Sequence, residues 1–259
     1  MYYLFNLNNL LLKMTKIIAE VGLNHMGSPK KLYKIIKDLM LSKIDGVTVQ
    51  ILDDEYYDNS KSFRKKIDMS VYKKISNLLK QKKIKFGIAI VNPKTIQDFK
   101  SIKVDFWKIL SMKFFNDNLI RKTLLTNKEV YLSTGIVSNF DIKKMSEKYN
   151  KLNFIHTSFS VDLKKTNLLA ISKLKNQIKS KVSFGLHAAT DEIIISAITL
   201  RADSVFFYVK QRNKIIYPDH EHAINLDTLK YKVKTWREII LSLGNGIKKR
   251  EKLPTWVFE

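Results

Sequence analysis

The chain has 259 residues, 45% hydrophobic and 11% aromatic, with no cysteine and a formal net charge of +23 from 47 Lys and Arg against 24 Asp and Glu. That composition fits a folded body with a large core rather than a disordered chain. It excludes disulfides, thiolate catalysis and cysteine metal sites, and it points to a reducing, cytoplasmic setting. The positive charge favours anionic partners. The lysines are spread along helical patterns, however, with no basic tail and no basic stripe interleaved with aromatics, so nucleic-acid binding ranks last among the readings.

Residues 1–13 (MYYLFNLNNLLLK) read as an N-terminal extension. They are too short to span a bilayer and lack the basic start and cleavage site of a signal peptide. The first strand is expected at 16–21 and ends in a carboxylate, Glu20, with Gly22, Asn24 and His25 close behind. Gly27, Ser28 and Pro29 then open a helix over 29–42, with Ser28 as its cap and Pro29 in its first turn. A strand at 46–52 leads into the polar segment 53–69, read as a loop or lid. The remaining strands are expected at 85–91, 106–111, 130–135, 152–158, 181–187 and 204–210. The remaining helices are expected at 70–82, 94–101, 117–126, 139–148, 167–180, 191–201 and 226–243. Asn139, Thr190 and Asp227 stand where side-chain caps belong. The tail, 245–259, carries an apolar cluster (Leu253, Trp256, Val257, Phe258) expected to dock on the body or on a partner. No stretch is long and apolar enough to cross a membrane, so no membrane partner is expected.

Each strand is apolar nearly throughout, as strands covered on both faces are. Eight strand–helix units are most economically an α/β fold of one closed (β/α)8 TIM-type barrel over 14–244, because closure leaves no sheet edge. A doubly wound open sheet is the runner-up. In a barrel, chemistry gathers at the carboxyl ends of the strands. Those ends supply Glu20, Asn24 and His25; Thr48 and Gln50; Asn92; Lys108 and Ser111; Ser133 and Thr134; His156 and Ser158; His187; and Tyr208 and Lys210. A buried Ser or His at one strand end is ordinarily structural. Their recurrence at the same end of successive strands favours an oxyanion site, with Glu20 as the acid–base group.

Five strings stand in order along the chain: AEVGLNHMGS (19–28), DFWKILS (105–111), VYLSTGIVS (130–138), TNLLAI (166–171) and PDHEHAINLDTLKYKV (218–233). With them the chain resembles the N-acetylneuraminate (sialic acid) synthase family from about Met14 to Lys249. The resemblance implies a barrel that condenses phosphoenolpyruvate with an N-acylated amino sugar to a nine-carbon sugar acid of surface glycans, releasing phosphate. It implies Glu20 and His25 as catalytic residues. As substrate-binding residues it implies Asn24, Gln50, Lys108, Ser111, Ser133, Asn167, His187 and His220. A divalent metal, Mn or Mg, is implied as activator of the sugar aldehyde, and a homodimer is a further expectation. The chain matches the barrel alone, without the small antifreeze-like domain the family usually carries.

Several positions depart from the pattern. Thr48 stands where the family usually has a lysine. Ala89, Ile90 and Val91 replace a Thr-Pro-Phe turn, and Val161 and Asp162 replace a Tyr-Pro. Ala189 occupies the place of the first metal histidine, and Phe206, Phe207 and Tyr208 fill the strand end that usually bears the second. His187 with His156, His220 or His222 is the candidate for a rebuilt metal site. Two readings follow: a synthase with a redesigned or metal-free site, or a non-catalytic relative that binds or regulates in the same pathway. The direction in which the rings of residues 206–208 face discriminates them.

Overall fold

The computed structural model describes residues 14–58, 64–213, 215–248 and 250. The extension 1–13 and the cluster Leu253, Trp256, Val257 and Phe258 lie outside these residues.

Strand β1 (Lys16–Gly22) pairs in parallel with both β2 (Gly46–Ile51) and β8 (Ser204–Lys210). Between them run β3 (Lys85–Ile90), β4 (Phe106–Ile109), β5 (Glu129–Ser133), β6 (Leu152–His156) and β7 (Val182–Gly185), each parallel to the next. The order β1 to β8 with β8 back on β1 is a closed eight-stranded barrel, so the open doubly wound alternative falls away. Helices α1 (Pro29–Met40), α2 (Met69–Gln81), α3 (Lys94–Asp98), α4 (Asp117–Leu124), α5 (Asn139–Lys148), α6 (Leu169–Gln177), α7 (Ile193–Thr199) and α8 (Leu226–Ser242) alternate with the strands. A two-residue strand, β9 (Ile224–Asn225), pairs in parallel with the end of β8 just before α8. No helix among the described residues is long and apolar enough to cross a membrane.

Of the start signals, that of α1 acts as read. Ser28 caps α1 by accepting from the Lys31 N–H, with Pro29 in the first turn. Three differ by a residue or more. Ser138, not Asn139, caps α5, in a capping box with Asp141. Thr190 spends its hydroxyl on the Glu192 carboxylate and leaves α7 without a side-chain cap. Asp227 lies inside the first turn of α8, because β9 fixes Asn225 as the cap position. Of the polar segment 53–69, residues 59–63 lie outside the described residues. The rest is anchored: the Asn92 amide donates to Asp53 at 2.9 Å, and Lys66 and Lys94 pair with Asp54.

The barrel interior is stacked in layers. At the amino end of the strands, Glu129 accepts from Lys16 (3.0 Å) and Lys181 (2.5 Å), with Lys85 at 4.0 Å. Above it Ile18, Phe106, Tyr131, Ile155 and Phe206 form a buried plug. Tyr131 meets Phe106 and Phe206 edge-on, at centroid distances of 5.7 and 5.1 Å. Gly87 makes room for this plug: a Cβ there would lie 2.2 Å from the Phe106 ring. The plug closes the barrel from below, so a ligand can enter only from the carboxyl ends of the strands.

Candidate active site

Alternation along β8 decides where its three rings go. Phe206 points inward and belongs to the plug. Phe207 points outward and packs edge-on against Trp236 of α8, at 5.2 Å. Tyr208 points inward one layer higher and lines a cavity of about 360 Å³ at the mouth. The aromatic fill therefore narrows the barrel without closing it.

At the base of this cavity lies a buried ion pair. The Lys108 ammonium donates to Glu20 Oε1 at 2.5 Å, and the Thr48 hydroxyl reaches the same oxygen at 3.2 Å. Both charged side chains are 4% exposed. The strand register brings them together: β1 places Glu20 beside Thr48 and Tyr208, and β4 places Lys108 beside Ala89. The ammonium also lies 5.6 Å from the Phe206 ring centre and 5.7 Å from that of Tyr208, within cation–π range. An ammonium has three donors. One is committed to Glu20, and Lys108 still lines the cavity.

Ser111, Ser133, Gln50 and His187 also line the cavity. Ser111 sits in a short 3-10 turn after β4, where its hydroxyl accepts from the Gly135 N–H at 2.9 Å and ties two loops together. The expected residues Lys108, Ser111, Ser133, Gln50 and His187 are thus brought to one place, with Glu20 directly beneath.

The other expected residues lie elsewhere. Asn24 is fully buried. Its amide donates to the Val209 carbonyl at 2.9 Å, and its oxygen accepts from the Asp219 N–H at 3.2 Å, so its polar ends hold backbone. His25 Nδ1 accepts from the Gly27 N–H at 3.0 Å, which leaves the ring proton on Nε2, buried and without a partner. Burial lowers its pKa to about 4. Asn167 is exposed, with φ +47° at the approach to α6. His220 does not line the cavity; its carbonyl accepts from Lys210 at 2.5 Å, and its Nδ1 is buried and unpaired.

The loop after β8 contributes more than expected. Asp219, Glu221 and His222 all line the cavity, as do Thr157 and Phe159 after β6. Gly22 makes this possible. It has φ +55°, and a Cβ there would lie 2.6 Å from the Tyr208 ring and 2.7 Å from Asp219 Oδ2. Burial, then the nearby Glu20 charge, raise the Asp219 carboxyl to about 7, against the pull of Lys108. His187 and His222 stack in parallel, with centroids 4.6 Å apart and planes 6° apart, and Tyr208 stands edge-on to both. Burial, followed by nearby positive charge, lowers His187 to about 3 and His222 to about 4. Both are neutral at pH 7. The signal that could have found this group was the string DHEH, with two acids and two imidazoles in four residues.

The implied divalent metal does not match the donors present. Among the described residues no group of three or more His, Asp or Glu side chains is arranged to hold a metal ion. Imidazole lone pairs lie in the ring plane, so two parallel rings cannot aim theirs at one ion. His156 is on the opposite face of β6 from Ile155 and Thr157, with Nε2 at 2.9 Å from the Thr166 carbonyl. His220 is not among the residues that line the cavity. The rebuilt histidine set is therefore not assembled.

Comparison with known proteins gives a consistent pattern. Residues 31–248 match the sequence profile of the NeuB family. The chain is 23% identical to N,N'-diacetyllegionaminic acid synthase of Campylobacter jejuni, over 93% of this chain and 81% of that protein. It is 21% identical to pseudaminic acid synthase of Helicobacter pylori, over 90% of this chain and 77% of that one. Among solved structures, the N-acetylneuraminic acid synthetase of Leptospira borgpetersenii, in complex with citrate, superposes with a TM-score of 0.82 at 21% identity, covering 92% of this chain and 88% of that one.

Proposed function

The chain belongs to the NeuB family, and from that premise we propose that it condenses phosphoenolpyruvate with an N-acylated amino sugar in the biosynthesis of a nine-carbon sugar acid. The observation that carries this reading is the cavity at the carboxyl ends of the strands, where Lys108, Ser111 and Ser133 converge over a closed plug. Phosphoenolpyruvate carries a phosphate and a carboxylate. A lysine with two uncommitted donors, beside two hydroxyls and Gln50, is chemistry that recognises such a group. The pair with Glu20 keeps the ammonium in one position before substrate arrives, so little ordering is needed on binding. A sugar then occupies the outer part of the cavity, between Gln50 and the loop bearing Asp219, Glu221 and His222.

The second reading, a barrel that binds without turnover, draws on the same pair: Glu20 already neutralises Lys108, and Tyr208 takes up space at the mouth. Calorimetric titration with phosphoenolpyruvate, for the wild type and Lys108→Ala, tests the anion site. Binding that is lost in Lys108→Ala, followed by phosphate release on addition of N-acylated hexosamines, supports the synthase. Lys108-dependent binding without release from any sugar in the panel supports the binding protein. Absence of binding refutes both.

A further inference from the structure

We infer that the rim of the barrel formed by the turns after β4, β5 and β6 docks on an anionic lipid surface, its exposed apolar side chains entering the headgroup region and its lysines meeting the lipid phosphates. This goes beyond the synthase reading and does not depend on it. The expectation of no membrane partner rests on the absence of a spanning segment, and a peripheral contact needs none. Met112 and Phe115 follow β4. Ile136 and Phe140 follow β5, with Phe140 in the first turn of α5. Phe159, Leu163 and Leu169 follow β6, with Leu169 at the start of α6. These seven are half of the fourteen large apolar side chains that are more than half exposed among the described residues, so the exposure is concentrated rather than scattered.

The three turns form one surface. Strands β4, β5 and β6 are neighbours in the barrel, and α4 to α6 start on the side of their carboxyl ends. The Ser111 hydroxyl after β4 accepts from the Gly135 N–H after β5. The Phe159 ring after β6 lies against Gly135, where a Cβ would be 3.0 Å from it. In a closed barrel of eight strands, β5 stands across from β1. The described residues between β1 and α1, and between β2 and α2, include no large apolar side chain that is more than half exposed. Contact on the β4–β6 side therefore leaves the approach over the β1 and β2 turns open to soluble ligands.

Charge identifies the lipid. Lys143 follows Phe140 on α5, and Lys164 and Lys165 follow Leu163. All three are exposed, and none forms an ion pair among the described residues. The acids of the same segments are engaged within the fold. Asp117 is bonded to Arg121 at 2.5 Å and to Lys148, Asp141 accepts from the Ser138 N–H, and Asp162 accepts from the Lys164 N–H. The lysine head groups are thus left to meet an outside anion, and the chain as a whole carries +23. Apolar groups that project from separate turns, interleaved with lysines, match a surface that is apolar below and anionic above. A bilayer conforms to so spaced a set, whereas a protein partner would need a matching pocket for each side chain.

Co-sedimentation of the full chain with vesicles tests the inference. It should bind vesicles of phosphatidylglycerol and phosphatidylcholine in equal parts, and bind phosphatidylcholine alone at least about tenfold more weakly. Phe140→Ser/Leu169→Ser lies outside the cavity lining and should lower the partition coefficient about tenfold at unchanged Tm. Lys164→Gln/Lys165→Gln should lower it about fivefold for each charge removed. The chain has no cysteine, so Phe140→Cys carries a polarity-sensitive fluorophore at a single place. Its emission should shift to the blue on the anionic vesicles, and that of the same label on Tyr231→Cys, across the barrel on α8, should not. Failure to sediment with anionic vesicles overturns the inference. So does binding that Phe140→Ser/Leu169→Ser leaves intact, or an equal shift at both labels, because charge alone then acts from any face. A monomer–dimer equilibrium abolished by Phe140→Ser/Leu169→Ser, without vesicle binding, assigns the rim to a second copy and likewise overturns it.

Discussion

Glu20→Gln should be the most informative single change in the molecule. Glutamine keeps the shape and one acceptor oxygen for Thr48 and Lys108, but removes the charge that compensates a buried ammonium. Breaking a buried pair by neutralising one partner costs about 3–5 kcal/mol, because the remaining ion stays desolvated. Here both side chains are 4% exposed and the contact is 2.5 Å, so burial gives solvent little part in screening. The retained neutral hydrogen bonds place Glu20→Gln near the lower end, about 3 kcal/mol. For a chain of this size that is a fall in Tm of about 6–12 °C. Urea denaturation followed by circular dichroism reads it as a lower midpoint at unchanged slope. The double variant Glu20→Gln/Lys108→Met, which also removes the stranded cation, should recover most of the loss. If Glu20→Gln lies within 1 kcal/mol of the wild type, or the double variant is worse than the sum of the singles, the ammonium is not held as described and the site argument built on it fails.

Further expectations follow from the same structure. The Asp219 carboxyl is raised from an ordinary 3.8 to about 7. Its contribution is thus fully present below pH 4 and is lost as pH rises from about 4 to 7. Asp219→Asn should gain up to about 4 kcal/mol over the wild type at pH 8 and little at pH 4, read by denaturation at the two pH values. His25, His187 and His222 are lowered to about 4, 3 and 4, the opposite case. Their contribution is present above pH 6.5 and is lost as pH falls toward 3, so His187→Gln should flatten the acid side of the Tm–pH curve. Gly87→Ala puts a methyl 2.2 Å from the Phe106 ring. It should cost about 1–3 kcal/mol by overpacking, and Phe106→Leu in the same chain should return part of that in a thermal melt. Phe159→Ala removes a ring that is 61% exposed yet lines the mouth. It should leave Tm nearly unchanged while altering sugar affinity by calorimetry.

The fold was legible because each strand is a short apolar run and each helix a longer periodic one, so the eight units could be counted before their ends were known. Boundaries failed where two competent residues stood side by side. Ser138 and Asn139 are equally good caps, and only the Asp141 reply three residues after Ser138 separates them. The two residues of β9 carry no periodicity of their own; they form a strand because β8 offers Val209 and Lys210 as partners. In the site, residues on strands fell where alternation puts them, as Lys108 and Ser133 show. Residues on loops did not, because a loop's side-chain direction is set by tertiary contacts. Asn24 and Asn167 illustrate this: both are loop amides, one just after β1 and wholly consumed by backbone, the other exposed at the approach to α6 and absent from the cavity lining. Asp219 was visible in the sequence, but its environment depends on Gly22, nearly 200 positions earlier.

The replaced positions form a physical unit. Tyr208 is edge-on to both His187 and His222, and Phe159 is edge-on to His187 at 5.7 Å. These contacts make one wall of rings, and burial within it keeps both imidazoles neutral. Below this wall the plug is filled by Phe206 and the cation is satisfied by Glu20; the cavity above them persists, with His222 Nε2 buried and unpartnered beside it. Ser111 and Ser133 also line it. The cavity therefore combines one ammonium, close to the Tyr208 ring, and two hydroxyls with a wall of neutral rings.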